Sequence, residues 1–291
     1  MRVALAGATG LLGGAVGAAL AGRGDRVVAL SRAELGAPEA LAAALGGCDA
    51  VINLAGEPLL ARRWDAARRR AFAESRVGVT RRLVKALAAA APRPPVFLCA
   101  SAVGYYGDRG GEALAEDAAR GEDDLARLCA DWEAAAQAAE PLGVRVARLR
   151  LGMVLAAGGG ALARMLPAFR LGLGGPLGSG RQYLAWVHLA DVRGVLLAAL
   201  ADARYRGAIN LVAPEAVTSR GFARALGRAL HRPAILPVPA FALRLAFGDA
   251  AQVLLAGQRA VPARLEALGY RYAFPELAPA LVDLVRGAAA A

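Results

Sequence analysis

The sequence predicts an α/β protein: a doubly wound parallel sheet with a smaller C-terminal α/β region. Two observations carry this. Short apolar runs alternate with Ala- and Leu-rich helical stretches from Arg2 to Leu149, an order that builds a parallel sheet covered on both faces. The first apolar run leads directly into three glycines at a fixed spacing, Gly7, Gly10 and Gly13.

Arg2 to Ala6 suits a buried strand, Leu11 to Arg23 has no Pro and reads as a helix, and Val27 to Leu30 reads as a second strand. The glycines therefore sit at the first turn of a β-α-β unit. A tight strand-to-helix turn needs residues without Cβ, and the backbone there must approach a pyrophosphate closely. The helix that follows aims unpaired N–H groups and its positive dipole end at the phosphates. Gly7, Thr9, Gly10, Leu11, Leu12 and Gly13 are thus the expected dinucleotide-binding turn of a Rossmann domain. The same opening, Arg2 followed by an Ala, Gly and Leu run, also has the composition of a secretory leader. Removing it would delete the first strand of an otherwise continuous pattern, so the nucleotide reading is preferred.

The end of the second strand selects the cofactor. Folds that bind NAD usually place Asp or Glu there, on the ribose 2′-hydroxyl. This chain has Ser31 and Arg32. A guanidinium pairs with a 2′-phosphate, and a missing carboxylate removes the repulsion, so NADP(H) is the expected cofactor.

Further along, Pro38 to Leu45 reads as a short helix and Asp49 to Leu54 as the third strand. Asp65 to Ala91 is helical in pattern, Val96 to Cys99 is the fourth strand, Asp123 to Glu140 a helix and Val144 to Leu149 the fifth strand. Ligands of such sheets bind at the carboxyl ends of the strands. Those ends bring in Asn53, Leu54, Ala55 and Gly56, then Cys99, Ala100 and Ser101. After Leu155 the chain becomes glycine-rich, and Trp186 to Leu200 returns to a strand-helix pattern. Residues 1–155 and 184–205 are expected to form the nucleotide-binding domain. Residues 156–183 and 206–291 are expected to form the smaller substrate domain. In the latter a strand is expected at Ala208 to Val212 and a helix at Ser219 to Leu230, capped by Thr218 or Ser219. The tail from Ala288 to Ala291 is expected to fray.

Composition narrows the function. The chain has 291 residues, enough for a large core. Its net charge is +11 (35 basic against 24 acidic residues), and Lys85 is the only lysine. The arginines are dispersed, without long basic blocks interleaved with aromatics, which argues against nucleic acid and for a small anionic ligand. Cys48, Cys99 and Cys129 are too few and too widely spaced for a disulfide framework or a zinc site, and fit a reducing cytoplasm with no metal. No apolar run is long enough to span a membrane, so no membrane partner is expected.

These residues resemble a known family. Gly7 to Gly13, Val51 to Gly56, Arg62-Arg63-Trp64, Glu74-Ser75-Arg76, Ser101 to Gly107, Asp131-Trp132-Glu133, Arg148 to Leu155, Trp186-Val187-His188 with Asp191, and Gly257-Gln258-Arg259 with Pro262 together resemble the extended short-chain dehydrogenase/reductases. The likeness is greatest to the atypical group labelled epimerase family proteins. That resemblance implies a Rossmann domain, a smaller C-terminal domain and a cleft between them. It implies an oxidoreductase or epimerase acting on a small anionic or nucleotide-linked substrate, and homodimerisation through two helices is one further expectation. It also implies a Ser after the fourth strand that bonds the reacting oxygen, which Ser101 matches, and a Tyr-x-x-x-Lys pair on the next helix. Here Cys129 stands at the Tyr position and Glu133 at the Lys position, so the usual proton-transfer pair is absent. Tyr105 and Tyr106 are the expected substitutes. Arg181, Gln182 and His188 are the expected substrate contacts, and Arg62, Arg63 and Arg76 could also face the cleft. A non-catalytic NADP(H) sensor or partner-binding protein is the alternative.

Overall fold

A computed structural model describes residues 1–60 and 63–288. Arg62 and the alanines from 289 to 291, on which two expectations fall, lie outside the described residues.

The first half alternates strand and helix: β1 (Arg2–Ala6), α1 (Leu11–Gly22), β2 (Arg26–Leu30), α2 (Arg32–Gly36), α3 (Pro38–Leu45) and β3 (Ala50–Asn53). Then come α4 (Ala66–Ala73), α5 (Val79–Ala89), β4 (Val96–Ala102), the two-residue β5 (Ala113–Leu114), α6 (Asp124–Gln137) and β6 (Arg145–Leu151). The single helix expected from Asp65 to Ala91 is interrupted by a π-turn at Glu74–Gly78, which swings Arg76 toward the end of β3. Beyond β6 lie β7 (Met153–Ala156), α7 (Gly160–Arg170), β8 (Tyr183–Leu184), β9 (Trp186–His188), α8 (Leu189–Ala201) and β10 (Gly207–Leu211). The chain closes with β11 (Val217–Thr218), α9 (Ser219–Leu230), α10 (Ala240–Phe247), α11 (Gln252–Leu255), β12 (Arg259–Ala260), α12 (Ala263–Ala267) and α13 (Leu277–Gly287).

The main sheet has six parallel strands in the order β10-β6-β4-β3-β1-β2. Both its faces are dry. Ala4 and Ala6 pack into one apolar cluster with Val51, Phe97 and Leu83. Val3 and Leu5 pack into another with Ile52, Leu98, Val16 and Leu20. This explains why the strands read as continuous apolar runs rather than alternating ones.

The strand expected to open the smaller region, Ala208 to Val212, is instead the sixth strand of the main sheet, paired in parallel with β6. Its partner β6 lies far before it in the chain, across β7 to α8, so sequence order alone gave no sign of where it pairs. A third apolar cluster sits beside the sheet, built from α7, α9 and α13 around Trp186, Phe222 and Leu281. Thr218 rather than Ser219 caps α9, its side chain accepting the Gly221 N–H.

Candidate functional site

The strand order reverses between β1 and β3, and ligands of open parallel sheets bind at that switch point, outside the carboxyl ends. Here the turn after β1 meets the loop after β3. Leu54 N–H donates to the Ala6 carbonyl at 3.0 Å. Gly7 adopts φ +81°, and a Cβ on it would lie 2.8 Å from the Leu54 carbonyl carbon. A Cβ on Gly13 would collide with the Gly7 carbonyl oxygen, which lets α1 start close against the strand. Gly10 is the N-cap of α1 and offers no side chain to its N–H groups. The first turn, Leu11 and Leu12 included, therefore presents backbone donors and the positive dipole end to the crevice. Thr9 completes this turn. Glycine at 7 and 13 lets strand, loop and helix close tightly on one another, and the uncapped N–H groups of the first turn suit a pyrophosphate.

At the end of β2, Ser31 caps α2. Its hydroxyl donates to Glu34 Oε2 at 2.6 Å and accepts the Glu34 N–H at 3.2 Å. A carboxylate is thus present in this corner after all, three residues beyond Ser31. Its hydrogen bonds from Ser31 hold Glu34 below the usual carboxylate range. Arg32 follows at the first position of α2, exposed to solvent, and makes no side-chain hydrogen bond or ion pair among the described residues.

Asn53 is fully buried at the end of β3. Its side chain donates to Thr80 Oγ1 at 2.9 Å and accepts the Ala55 N–H at 3.2 Å, which shapes the Leu54–Ala55–Gly56 loop. Over Gly56 lies the Arg76 guanidinium, donating to the Glu57 carbonyl at 2.8 Å and facing the Trp132 ring at 5.5 Å. Burial pulls the Arg76 pKa down from its ordinary value. Arg63 lies elsewhere, against Gly248.

At the end of β4, Cys99 and Ala100 are buried. Burial pushes the Cys99 thiol up to about 12. Ser101 is only 1% exposed, and its hydroxyl donates to Glu133 Oε1 at 2.7 Å. Glu133 in turn takes a two-pronged contact from Arg150, with Nε to Oε1 at 2.7 Å and Nη2 to Oε2 at 2.9 Å. Ser101 and Arg150 face each other in the β4–β6 register, which explains how α6 serves both with one carboxylate. Arg150 also donates to the Tyr106 hydroxyl at 2.8 Å and sits 3.6 Å above the Tyr105 ring. Glu133 holds the Arg150 charge on, so its pKa is raised despite burial.

Of the two expected phenols, Tyr106 is fully buried. Its hydroxyl donates to Asn210 Oδ1 at 2.7 Å, and burial raises its pKa. It packs inside the protein rather than lining a cleft. Tyr105 is half-buried and stacked on Arg150. Cys129 is buried as well, and burial pushes its thiol up to about 12, with Glu133 adding to the effect.

The expected substrate residues divide. Arg181 and Gln182 line a cavity of about 560 Å³ with Gly110, Gly111, Gly180, Tyr183, Thr218 and Arg220. Ser101, Tyr105 and Tyr106 do not line it, although the loop through Gly110 and Gly111 follows directly from them. His188 is placed differently from its expectation as a substrate contact. It caps α8, with Nδ1 accepting the Ala190 N–H at 3.0 Å, and its ring packs on Phe274 at 4.0 Å. Sequence reasoning assigned no role to Arg150 or Asn210. Asn210 is the one polar residue on β10, which was an available signal, whereas Arg150 is one of three arginines on β6 and nothing in the sequence set it apart. Among the described residues no cluster of side chains suits a metal ion.

A six-stranded parallel sheet with this glycine turn at its switch point defines a Rossmann protein. The sequence places it further. Residues 3–211 match the NAD dependent epimerase/dehydratase family and residues 238–284 match a domain of unknown function, DUF1731, so the chain belongs to that epimerase/dehydratase family. It is 43% identical to the epimerase family protein SDR39U1 of Mus musculus, over 98% of this chain and all of that one. It is 41% identical to the epimerase family protein Mb2239 of Mycobacterium bovis, over 93% of each. Among solved structures it is similar to human epimerase family protein SDR39U1 crystallised with NADPH, at TM-score 0.91 and 38% identity, covering 98% of this chain and 99% of that one.

Proposed function

We propose that this chain binds NADP(H) and acts as an atypical oxidoreductase or epimerase on a small anionic or nucleotide-linked substrate. The observation that carries this is the glycine cradle at the α1 N-terminus with Arg32 at the adjoining corner. The human relative's crystallisation with NADPH supports the same cofactor. In this reading the N–H groups of the first turn of α1 hold the pyrophosphate, and Arg32 pairs with the 2′-phosphate. The loop from Asn53 to Gly56 bounds the crevice, held in shape by Asn53 and covered by Arg76. When bound, the nicotinamide supplies or accepts a hydride.

The chain's own part is to place the substrate and manage one proton. Ser101 is fixed by Glu133, with its remaining lone pairs at the carboxyl end of β4. Tyr105 is the more accessible phenol, and the Arg150 guanidinium lies against its ring. Arg181, on the cavity beside the Gly110–Gly111 loop, suits the anionic end of a substrate, while Gln182 shapes that cavity by donating to the Leu177 and Leu254 carbonyls.

One observation favours a second reading, a non-catalytic NADP(H)-dependent binding protein. The residues at the Tyr and Lys positions are a buried thiol with a raised pKa and a carboxylate committed to Arg150. Sustained turnover of any carbonyl or sugar-nucleotide substrate with NADP(H) would reject that reading.

Arg32→Asp tests the cofactor assignment. The substitution removes a charge-assisted contact and should weaken NADPH binding by about 1.5–3 kcal/mol while leaving NADH almost unchanged. Equal losses for both cofactors would show that Arg32 does not contact the 2′-phosphate.

A further inference from the structure

Nine large apolar side chains are exposed among the described residues, and six of them fall in one region: Leu171, Leu173, Ile235, Leu236, Phe241 and Leu245. The backbone brings them together. Leu236 N–H donates to the Gly174 carbonyl at 3.2 Å, and Val238 N–H to the Pro176 carbonyl at 2.9 Å, so the segment after α7 lies alongside the segment before α10. Pro239 then opens α10, which carries Phe241 at 72% exposure and Leu245 at 74%. Ile235 is 77% exposed. The six side chains thus stand exposed along two paired segments and the helix that follows them, a ridge set by chain connectivity.

Beside the ridge is a cavity of about 530 Å³ lined by Arg224, Arg228, His231, Arg232 and Ile235, with Gly227 and Ala234. Arg232 also donates to the Arg170 carbonyl at 3.0 Å, which ties the cavity to the base of the ridge. Arg170, Arg224, Arg228, Arg232 and Arg244 are all exposed, and none pairs with a carboxylate among the described residues. The sequence has no Asp or Glu between Glu140 and Asp191, or between Glu215 and Asp249. Both segments of the ridge are therefore free of carboxylates.

We infer that this face docks on an anionic phospholipid surface, with the apolar ridge entering the acyl boundary and a lipid phosphate seated in the arginine cavity. Contiguous exposed apolar surface marks an interaction site. Apolar side chains flanked by arginine alone are the chemistry that lies in a membrane interface without spanning it. Charge argues against a second copy of the chain, since self-pairing through this face would set arginine against arginine. The absence of a membrane-spanning helix among the described residues concerns spanning only. The inference does not depend on the cofactor reading.

The test is co-sedimentation of the full chain with vesicles of phosphatidylcholine alone or mixed with phosphatidylglycerol. Anionic vesicles should retain the protein at least about tenfold more strongly, with retention falling as salt rises. The double substitution Phe241→Ser with Leu245→Ser, and separately Arg228→Gln with Arg232→Gln, should each lose most of that retention. All four side chains are exposed, and an unchanged circular dichroism melt shows that each variant is folded. Equal behaviour on neutral and anionic vesicles would overturn the inference. So would undiminished retention of the folded Phe241/Leu245 variant, which would leave only diffuse attraction by charge. Retention on polyglutamate but not on vesicles would also overturn it, in favour of an acidic protein partner. Saturable binding of inorganic phosphate without vesicle binding would overturn it in favour of a soluble phosphate ligand.

Discussion

Glu133 and Arg150 hold opposite charges inside the protein, and each is the other's main compensation. Glu133 also receives the Ser101 hydroxyl, and Arg150 also binds Tyr106 and stacks on Tyr105. Removing one partner strands a buried charge, which costs far more than the pair contributes net. Glu133→Ala should lower unfolding stability by about 3–5 kcal/mol, read from the urea midpoint. Combining it with Arg150→Met should recover a large part of that loss. A single variant as stable as the parent would mean that solvent reaches the pair. The sequence showed that the Lys position holds Glu133, but not what Glu133 does. Its partner lies on β6, and strand pairing that sets Arg150 opposite Ser101 is a long-range fact. For the same reason Tyr106 was read as a cleft residue: a phenol just past Ser101 faces either way until the buried Asn210 is known to wait behind it.

At the scale of elements, two short stretches decide the site. The glycine turn and α1 were legible because their requirement is local: a positive φ at Gly7 and a close helix start at Gly13 admit no side chain. The π-turn within the α4–α5 region was not legible, since one residue more per turn leaves the apolar pattern almost unchanged. Yet it is what carries Arg76 over Gly56. The start of α8 gives a pH prediction. His188 caps that helix through a neutral ring nitrogen, and burial lowers its pKa from 6.5, against the opposing pull of Asp283. The unfolded chain then binds more protons than the folded one, so stability is present above the unfolded pKa and is lost as pH falls below it. His188→Asn keeps a side-chain acceptor for the cap but does not titrate. The melting temperature of the parent should therefore fall more steeply on acidification than that of the variant. Parallel slopes would show that His188 is not held neutral.

For the whole molecule, strand-helix alternation carried the fold, because each βα unit buries its own strand and repeats the same instruction. The pattern failed at β10. That strand comes after the glycine-rich stretch and α8, so its pairing with β6 completes the sheet from a distance that periodicity does not measure. The cofactor crevice arises at the same scale. It exists because β1 and β3 are neighbours in space and their end loops touch, Gly7 against Leu54. What that crevice holds is tested most directly by a fluorescence titration of the purified chain with NADPH and, separately, NADH. The three tryptophans provide the donor signal for either nucleotide. Saturable binding that clearly prefers NADPH is the predicted result. Equal affinity for the two would contradict the assignment of Arg32 to the 2′-phosphate, and binding of neither would contradict the cofactor reading itself.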